Sequence, residues 1–388
     1  MRERAFTFYN VCAVFVAGVD RDRSLGRGGK TLKSSEIAKL AGVSRSTVSR
    51  VINNYTNVPE DTRRRVMEII ERYDYEPNTF ARTLAGKPHN TIGLFVINQS
   101  NKDYEHRLYE SGFYGLFMQA VVDTLNTRGY FVMVNLVYDR EDYETIRQAF
   151  RQKRIDGGIV IGTESGTDVF DEILKKGYPL AIMDLEPQEA RNIRGSQANL
   201  TVMNWMDYEG ACEVLEYLIG LGHTEIGLLT GRMSTYSARE RLKAYHDVMR
   251  RHGLPVREEF VLNCNFSRIQ AAEAVSQLIA AGTLPTALFS CNDEMAMSVL
   301  DVLHTHGIRV PQDISLAGFD DIAVSSMLRP ALTTVRVPIV ELAKKAAEAV
   351  IHAVEQGDGS QVIYNYPTKL VIRDSCAAPA VAAQPEVS

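Results

Sequence analysis

The sequence predicts a small all-α headpiece followed by an α/β body of two lobes built on parallel sheets. Three observations carry this. Three helical patterns crowd into residues 34–75 with very short joints between the first two. From Thr91 onward, apolar strand-like runs alternate with helical patterns. One short helix-like stretch, NTFARTLAGK (78–87), stands between these two textures.

The chain has 388 residues, enough for more than one domain and a sizeable core. Its composition, 45% hydrophobic and 23% charged, is that of an ordinary globular protein. It contains no run of about 18 apolar residues, so no membrane span is expected. VCAVFVAGV (11–19) is too short to span, and Asp20, Asp22 and arginines follow where a signal peptide needs small residues. Cys12, Cys212, Cys264, Cys291 and Cys376 are scattered, odd in number and without a CxxC pair. That argues against a disulfide framework or a zinc site and fits a reducing, cytoplasmic setting.

Residues 1–30 have no clear period and are expected to form a disordered extension. The headpiece follows at 31–77. SSEIAKLAG opens with serine, carries Glu36 in its first turn, sets Ile37 and Leu40/Ala41 at helical spacing, and stops at Gly42. VSRSTVSRVINN comes next, with Ser44 as N-cap and Val48 and Val51/Ile52 on one face. VPEDTRRRVMEIIERYDY then starts with Pro59 at its first position and carries Val66, Ile69/Ile70 and Tyr73. Only Gly42 and Val43 separate the first two helices, which makes them cross steeply as a helix-turn-helix.

Charge supports a nucleic-acid contact at this end. Residues 31–87 hold ten Lys/Arg against seven Asp/Glu, and residues 1–30 hold six against three. The rest holds 27 against 38, so a basic end sits on an acidic body. In a helix-turn-helix, the start of the second helix meets base edges in the major groove. Arg45 and Ser46 are the candidates for bases, since arginine holds guanine bidentately. Ser44, Thr47, Ser49, Arg50 and Asn53 are candidates for bases or phosphates, and Tyr55 and Asn57 for phosphates.

The body is expected at 91–375. Its strand runs are TIGLFVI, FVMVNLV, GGIVIG, LAIMD, EIGLLTG, EFVLNC, TALFS and ISLAGFD, with helical segments at 115–128, 142–152, 208–221, 238–252, 267–281 and 293–306. Continuous Val/Ile/Leu strands with helical crossovers mean parallel sheets covered on both faces, three layers per lobe. So many units exceed one sheet, and two lobes with a cleft result. Ligands in such sheets sit beyond the carboxyl ends of the strands. AAPAVAAQPEVS closes the chain, and a disordered tail is expected over 376–388.

EIAKLAGVSRSTVSRVINN and VPEDTRRRVMEIIERYDYEPNTFARTL together resemble the DNA-binding headpiece of the lactose/galactose-repressor (LacI/GalR) family. The resemblance runs from about Lys33 to Ser375. Ser34-Ser35 departs from it, where the family often has an apolar residue followed by a polar one. The resemblance makes 78–90 a hinge helix and linker that orders on operator DNA, pairs with its twin in a homodimer and inserts a leucine into the minor groove. The residue types agree. So short a helix is unstable alone, Ala81 and Ala85 permit close approach of two helices, and Leu84 is an apolar wedge. Asn78, Ala81, Arg82 and Leu84 are thus further DNA candidates.

SARERLKAY (237–245), FSCNDEMAMSVL (289–300), ISLAGFDD (314–321) and RPALTTVRVP (329–338) resemble the periplasmic-binding-protein-like effector domain of the same family. That resemblance implies Arg241, Asn292 and Asp320 as partners of sugar hydroxyls, and Trp205 and Phe266 as pocket aromatics. Asp184, at the end of LAIMD, and Phe113 and Tyr114, after the first strand, are added as candidates from their positions. A guanidinium, an amide and a carboxylate together suit a polyol, whose hydroxyls both donate and accept. The implied function is a dimeric, sequence-specific transcriptional repressor on a near-palindromic DNA operator, released by a small carbohydrate effector. The alternative is a regulator answering to a purine, nucleoside or other metabolite, possibly as corepressor. A sugar-binding receptor is the alternative from another class, but it leaves the headpiece unexplained. No GxGxxG, Walker loop, metal-ligand cluster or GxSxG occurs in context, so no cofactor, metal or catalysis is expected.

Overall fold

The computed structural model describes residues 32–52, 55–73, 75, 89–98, 111–162, 168–193, 199–357 and 360–379. The chain divides into two units, 1–82 and 83–388.

In the first unit α1 (Ser34–Ala41), α2 (Arg45–Ile52) and α3 (Glu60–Arg72) follow one another closely. Gly42 ends α1 at φ 63°, the left-handed region that glycine enters without a Cβ penalty. Glu36 reaches back to the Lys33 amide at 2.6 Å and ties the start of α1. Ile37, Ala38, Ala41, Val48, Val51, Val58, Val66 and Tyr75 form the core. Three expectations need correction. Leu40 is 47% exposed, because Ile37, Ala38 and Ala41 already fill the inward stripe. Tyr73 is likewise exposed, and Tyr75 beyond the helix end is buried in its place. Pro59 is the N-cap of α3, one residue earlier than the pattern predicts.

The second unit carries β1 (Thr91–Ile97), α4 (Gly112–Thr127), β2 (Phe131–Val137), α5 (Tyr143–Arg151), β3 (Gly157–Ile161), α6 (Asp168–Lys175), β4 (Leu180–Met183), α7 (Pro187–Asn192) and β5 (Leu200–Trp205). Next come α8 (Asp207–Gly220), β6 (Ile226–Thr230), α9 (Tyr236–Arg251), β7 (Val261–Asn263), α10 (Arg268–Ala281), β8 (Ala287–Ser290), α11 (Asp293–Thr305) and β9 (Ser315–Ala317). The last elements are β10 (Thr334–Arg336), α12 (Ile339–Gln356), β11 (Gln361–Tyr366) and β12 (Lys369–Val371).

Two parallel sheets result. One has the order β11-β5-β4-β3-β1-β2 and the other β7-β6-β8-β9, with β10-β12 as a separate antiparallel pair. The first lobe is therefore residues 91–205 together with α12 and β11. The second is formed around 207–337 and the last residues. The chain passes between them at 205–207, 337–339 and 366–369. Both lobes have aliphatic cores, and the first sheet is packed on both faces over most of its width. The edge strand β2 departs from the expected full coverage, with Phe131 74%, Val134 46% and Leu136 40% exposed.

The body also runs past 375. His223 Nε2 lies 2.9 Å from the Ala377 carbonyl and 3.0 Å from Ser315 Oγ, and Ser315 Oγ accepts from the Ala377 amide at 3.0 Å. Residues 376–379 are thus part of the second lobe rather than of a tail, because buried polar groups at the base of β9 need these backbone partners. Among the described residues, no helix is long and apolar enough to cross a membrane.

Candidate functional site

In the headpiece, Ser44 Oγ accepts from the Thr47 amide at 3.1 Å and caps α2. It also lies 2.7 Å from Ser46 Oγ and 2.9 Å from Thr47 Oγ1, a hydroxyl cluster at the helix start. Val48 and Val51 turn inward, which leaves Arg45, Ser46, Ser49 and Arg50 exposed, with Thr47 half-buried between the two faces. Tyr55 and Asn57 are exposed in the connection to α3. Arg63, absent from the candidates, donates to the Tyr55 carbonyl at 2.5 Å and fixes that connection. Asn53, Asn78, Ala81, Arg82 and Leu84 lie outside the described residues.

In the body, Arg241 is 2% exposed near the start of α9. Its Nε donates to Asp207 at 2.8 Å, its Nη1 donates to the Cys291 carbonyl, and its Nη2 lies 3.8 Å from Asp320. Its guanidinium stacks over Phe319 at 3.7 Å, with Phe266 at 5.8 Å. Asp207 opens α8 and accepts a second bond, from the Trp205 indole, at 2.9 Å. Trp205 packs edgewise on Phe113 at 6.0 Å, and Phe113 packs edgewise on Tyr114 at 5.7 Å. The Phe266 ring lies flat on Gly231, where a Cβ would come within 2.0 Å of it, so only glycine fits at 231.

Asn292 caps α11 through its Oδ1, which accepts from the Met295 amide at 2.9 Å. Its Nδ2 makes no hydrogen bond to a described residue. The Asp320 side chain is 9% exposed, and its nearest cation is Arg241 at 3.8 Å; no described donor hydrogen-bonds it. Asp320 sits at φ 115°, Asp184 at φ 60° and Phe266 at φ 60°. Backbone strain thus gathers at the carboxyl ends of the strands, as it does at functional sites generally.

Asp184 joins the lobes. It accepts from the Ser237 amide at 2.8 Å and from Ser237 Oγ at 2.7 Å. Three more polar links cross the same cleft. Arg239 meets Glu186 at 2.7 Å, Glu294 accepts from the Gly112 amide at 3.1 Å, and Arg232 donates to Asn98 at 3.3 Å.

Burial raises the acids here. It pushes Asp184 up to about 7, with the Asp207 charge adding to it. It pushes Asp207 up to about 6 against the pull of Arg241. Asp320 is raised well above its ordinary value by burial, and Arg241 only partly offsets this. Burial also lifts Tyr114 to about 12, with Arg232, Asp184, Glu294 and Asp320 in its field. Arg241, Asn292, Asp320, Trp205, Phe266, Asp184, Phe113 and Tyr114 therefore share one cleft. Sequence reasoning missed Asp207, Ser237 and Glu294. Asp207, directly after the Trp205-Met206 crossover, and Glu294, beside Asn292, were legible as neighbours of candidates. Ser237 was not, since its partner lies 53 residues away.

Comparisons with known proteins agree with this geometry. Residues 33–78 match the model of bacterial regulatory proteins, lacI family, and residues 215–376 match the periplasmic binding protein-like domain. The chain is 30% identical over 346 residues to the probable HTH-type transcriptional repressor ExuR of Bacillus subtilis, covering 88% of this chain and 97% of that protein. It is 31% identical over 341 residues to the HTH-type transcriptional repressor PurR of Photobacterium profundum, covering 88% and 97%. The structure of the lac repressor dimer bound to operator and the anti-inducer ONPF superposes with a TM-score of 0.73 at 26% identity, covering 90% of this chain and 100% of that one. A helix-turn-helix headpiece, a two-lobed body with a polar, aromatic-walled cleft and these full-length similarities lead to one conclusion: the chain belongs to the lacI family of bacterial regulatory proteins, the DNA-binding transcriptional repressors.

Proposed function

We propose that the cleft binds a small carbohydrate and that this binding releases the headpiece from a near-palindromic operator. One observation carries the reading. Asp320 and the Nδ2 of Asn292, an acceptor and a donor, stand beside Arg241 at the strand ends with no described hydrogen-bond partner. Adjacent hydroxyls of a polyol satisfy such a set, and Trp205, Phe113, Tyr114 and Phe266 supply apolar faces for a ring. Asp184 reports closure, since it is one of the acceptors through which the two lobes meet and takes two bonds from Ser237.

On the DNA, Arg45 and Ser46 read base edges, and Ser44, Thr47, Ser49, Arg50, Asn53, Tyr55 and Asn57 contact bases or phosphates. Asn78, Ala81, Arg82 and Leu84 form the hinge contact, with Leu84 as the wedge. The protein acts in the cytoplasm as a homodimer, which gives operator half-sites their symmetry. The exposed Val134 and Leu136, which share one face of the edge strand β2, are the surface on which the second copy packs. Allostery then consists of a ligand that favours one lobe arrangement and thereby biases the hinge pair.

The test is polarisation of a labelled operator, selected from a palindromic random pool, titrated with a panel of sugars. Release by a sugar supports the reading. Release or tightening by nucleobases alone refutes it. That second outcome is the alternative of a regulator answering to a purine, nucleoside or other metabolite, and tightening would make it a corepressor; the similarity to PurR repressors supports it.

A further inference from the structure

We infer that Arg373, near the end of the chain, is a positioning residue of the ligand cleft: it grips Asp321 and thereby keeps the Asp320 carboxyl in place for the ligand. This rests on the carbohydrate reading above and concerns how its acid is set.

Asp320 does not hold its conformation by itself. Its φ of 115° lies where an L side chain is strained, and Asp321 follows at φ 55°. Such a backbone persists only where its surroundings fix it from several sides. Three holds converge on it. The Asp320 amide donates to the Val335 carbonyl at 2.8 Å, and the Asp320 carbonyl accepts from the Val337 amide at 3.3 Å, beside a lobe crossover. Asp293 holds the loop beyond, accepting from the Ile322 amide at 3.0 Å and from Ser325 Oγ at 2.7 Å. The third hold is the Asp321 carboxylate, whose side chain is 6% exposed. One of its oxygens accepts from Arg336 Nε at 2.7 Å and the other from Arg373 Nη2 at 2.5 Å.

The two arginines differ. Arg336 is 56% exposed, so water and salt screen its share. Arg373 is 17% exposed and fixed along its length. Its amide donates to Thr333 Oγ1 at 2.9 Å and its Nη1 to the Leu332 carbonyl at 2.7 Å, which directs Nη2 at Asp321. The residues after it are anchored too. The Asp374 amide donates to the Ala331 carbonyl at 3.0 Å, and Ser375 Oγ accepts from the Thr333 amide at 2.8 Å. Without Arg373, the Asp321 carboxylate would stay buried with one screened partner, a state relieved by turning out to water. Asp320 and Asp321 share a peptide bond. That turn therefore carries the Asp320 carboxyl away from Arg241, now 3.8 Å from it, and from the ligand.

The experiment titrates glucose, galactose, mannose, ribose and arabinose into the full chain by calorimetry at pH 7. For a sugar that binds, Arg373→Met should weaken binding about tenfold. Arg373→Lys, which keeps the charge but loses the fork, should lose less. In an Asp320→Asn background, Arg373→Met should cost under about twofold, because the group it positions is already gone. Should Arg373→Met fail to melt as a folded body, Asp321→Asn takes its place: it leaves no charge buried, and a loss of about threefold or more is expected in the Asp320 background only. Undiminished binding by the folded variant, or an equal loss in both backgrounds, overturns the inference and leaves the carbohydrate reading standing. Silence of the wild-type chain toward every one of these sugars overturns both.

Discussion

Replacing Asp184 with asparagine should stabilise the body, and the gain should grow with pH in a defined window. The carboxyl rises from 3.8 in the unfolded chain to about 7 in the fold, chiefly through burial. A carboxyl raised by folding favours the native state fully below its unfolded value and loses that contribution as pH climbs to the folded one. The window is thus about pH 4 to 7. Asparagine keeps both contacts, its Oδ1 accepting from the Ser237 amide and its Nδ2 donating to Ser237 Oγ, without a charge to bury. Each pH unit in the window therefore adds about 1.4 kcal/mol to the variant's advantage, approaching about 4 kcal/mol near pH 7 before relaxation around Asp207 and Arg241 reduces it. With about 2 °C per kcal/mol for a body of this size, the gap in melting point should open by about 3–8 °C. Trp205 reports the body alone, so a melt of both proteins from pH 4 to 8 measures the gap directly. A gap that stays flat across that range, or a variant less stable throughout, refutes the burial argument.

Four other outcomes are expected. Arg241→Met leaves Asp207 and Asp320 buried without their cation, and should cost about 3–5 kcal/mol in a urea melt of the body. Ser44→Ala removes the α2 cap and should lower headpiece stability by about 1 kcal/mol, measured by circular dichroism in the absence of DNA. Leu84→Ala should weaken specific operator binding far more than non-specific binding, and equal losses in a salt-matched titration would dismiss the wedge. Leu136→Glu, beside Val134 on the exposed face of β2, should shift the chain toward monomer in sedimentation, whereas an unchanged dimer would move the interface elsewhere.

Strands β1 and β2 were legible to the residue, because short runs rich in Val, Ile, Leu and Phe, too short for a buried helix, fit a sheet. β5 was not. Its run LTVMNW is interrupted by Asn204, which is buried because its amide pairs with both the Leu185 amide and the Leu185 carbonyl. That pairing is tertiary, and no local pattern encodes it. β11, with its half-exposed QVIYNY at a sheet edge, lacks the strong alternation that marks a strand. The headpiece periodicity was readable, yet it misplaced Leu40 and Tyr73, since residues on the border of an apolar stripe go in or out according to what the neighbouring helices already fill. At the cleft, motif resemblance supplied Arg241, Asn292 and Asp320. Their differing situations were invisible: Arg241 is held close by Asp207 and a carbonyl, while Asp320 shares that arginine at 3.8 Å and has no described hydrogen-bond donor. The Asp184–Ser237 link joins two lobes and needed three dimensions to appear.

The central claim is that a polyol held at Asp320 and Asn292 controls the headpiece. One titration tests it most directly: a sugar that quenches or enhances Trp205 is added to the wild-type protein on its operator and, in parallel, to Asp320→Asn. Wild-type protein should leave the operator at the sugar concentration that changes Trp205, and the variant should stay on DNA at least about tenfold beyond it. Release of both proteins at the same concentration, or a Trp205 response with no change in DNA occupancy, would contradict it.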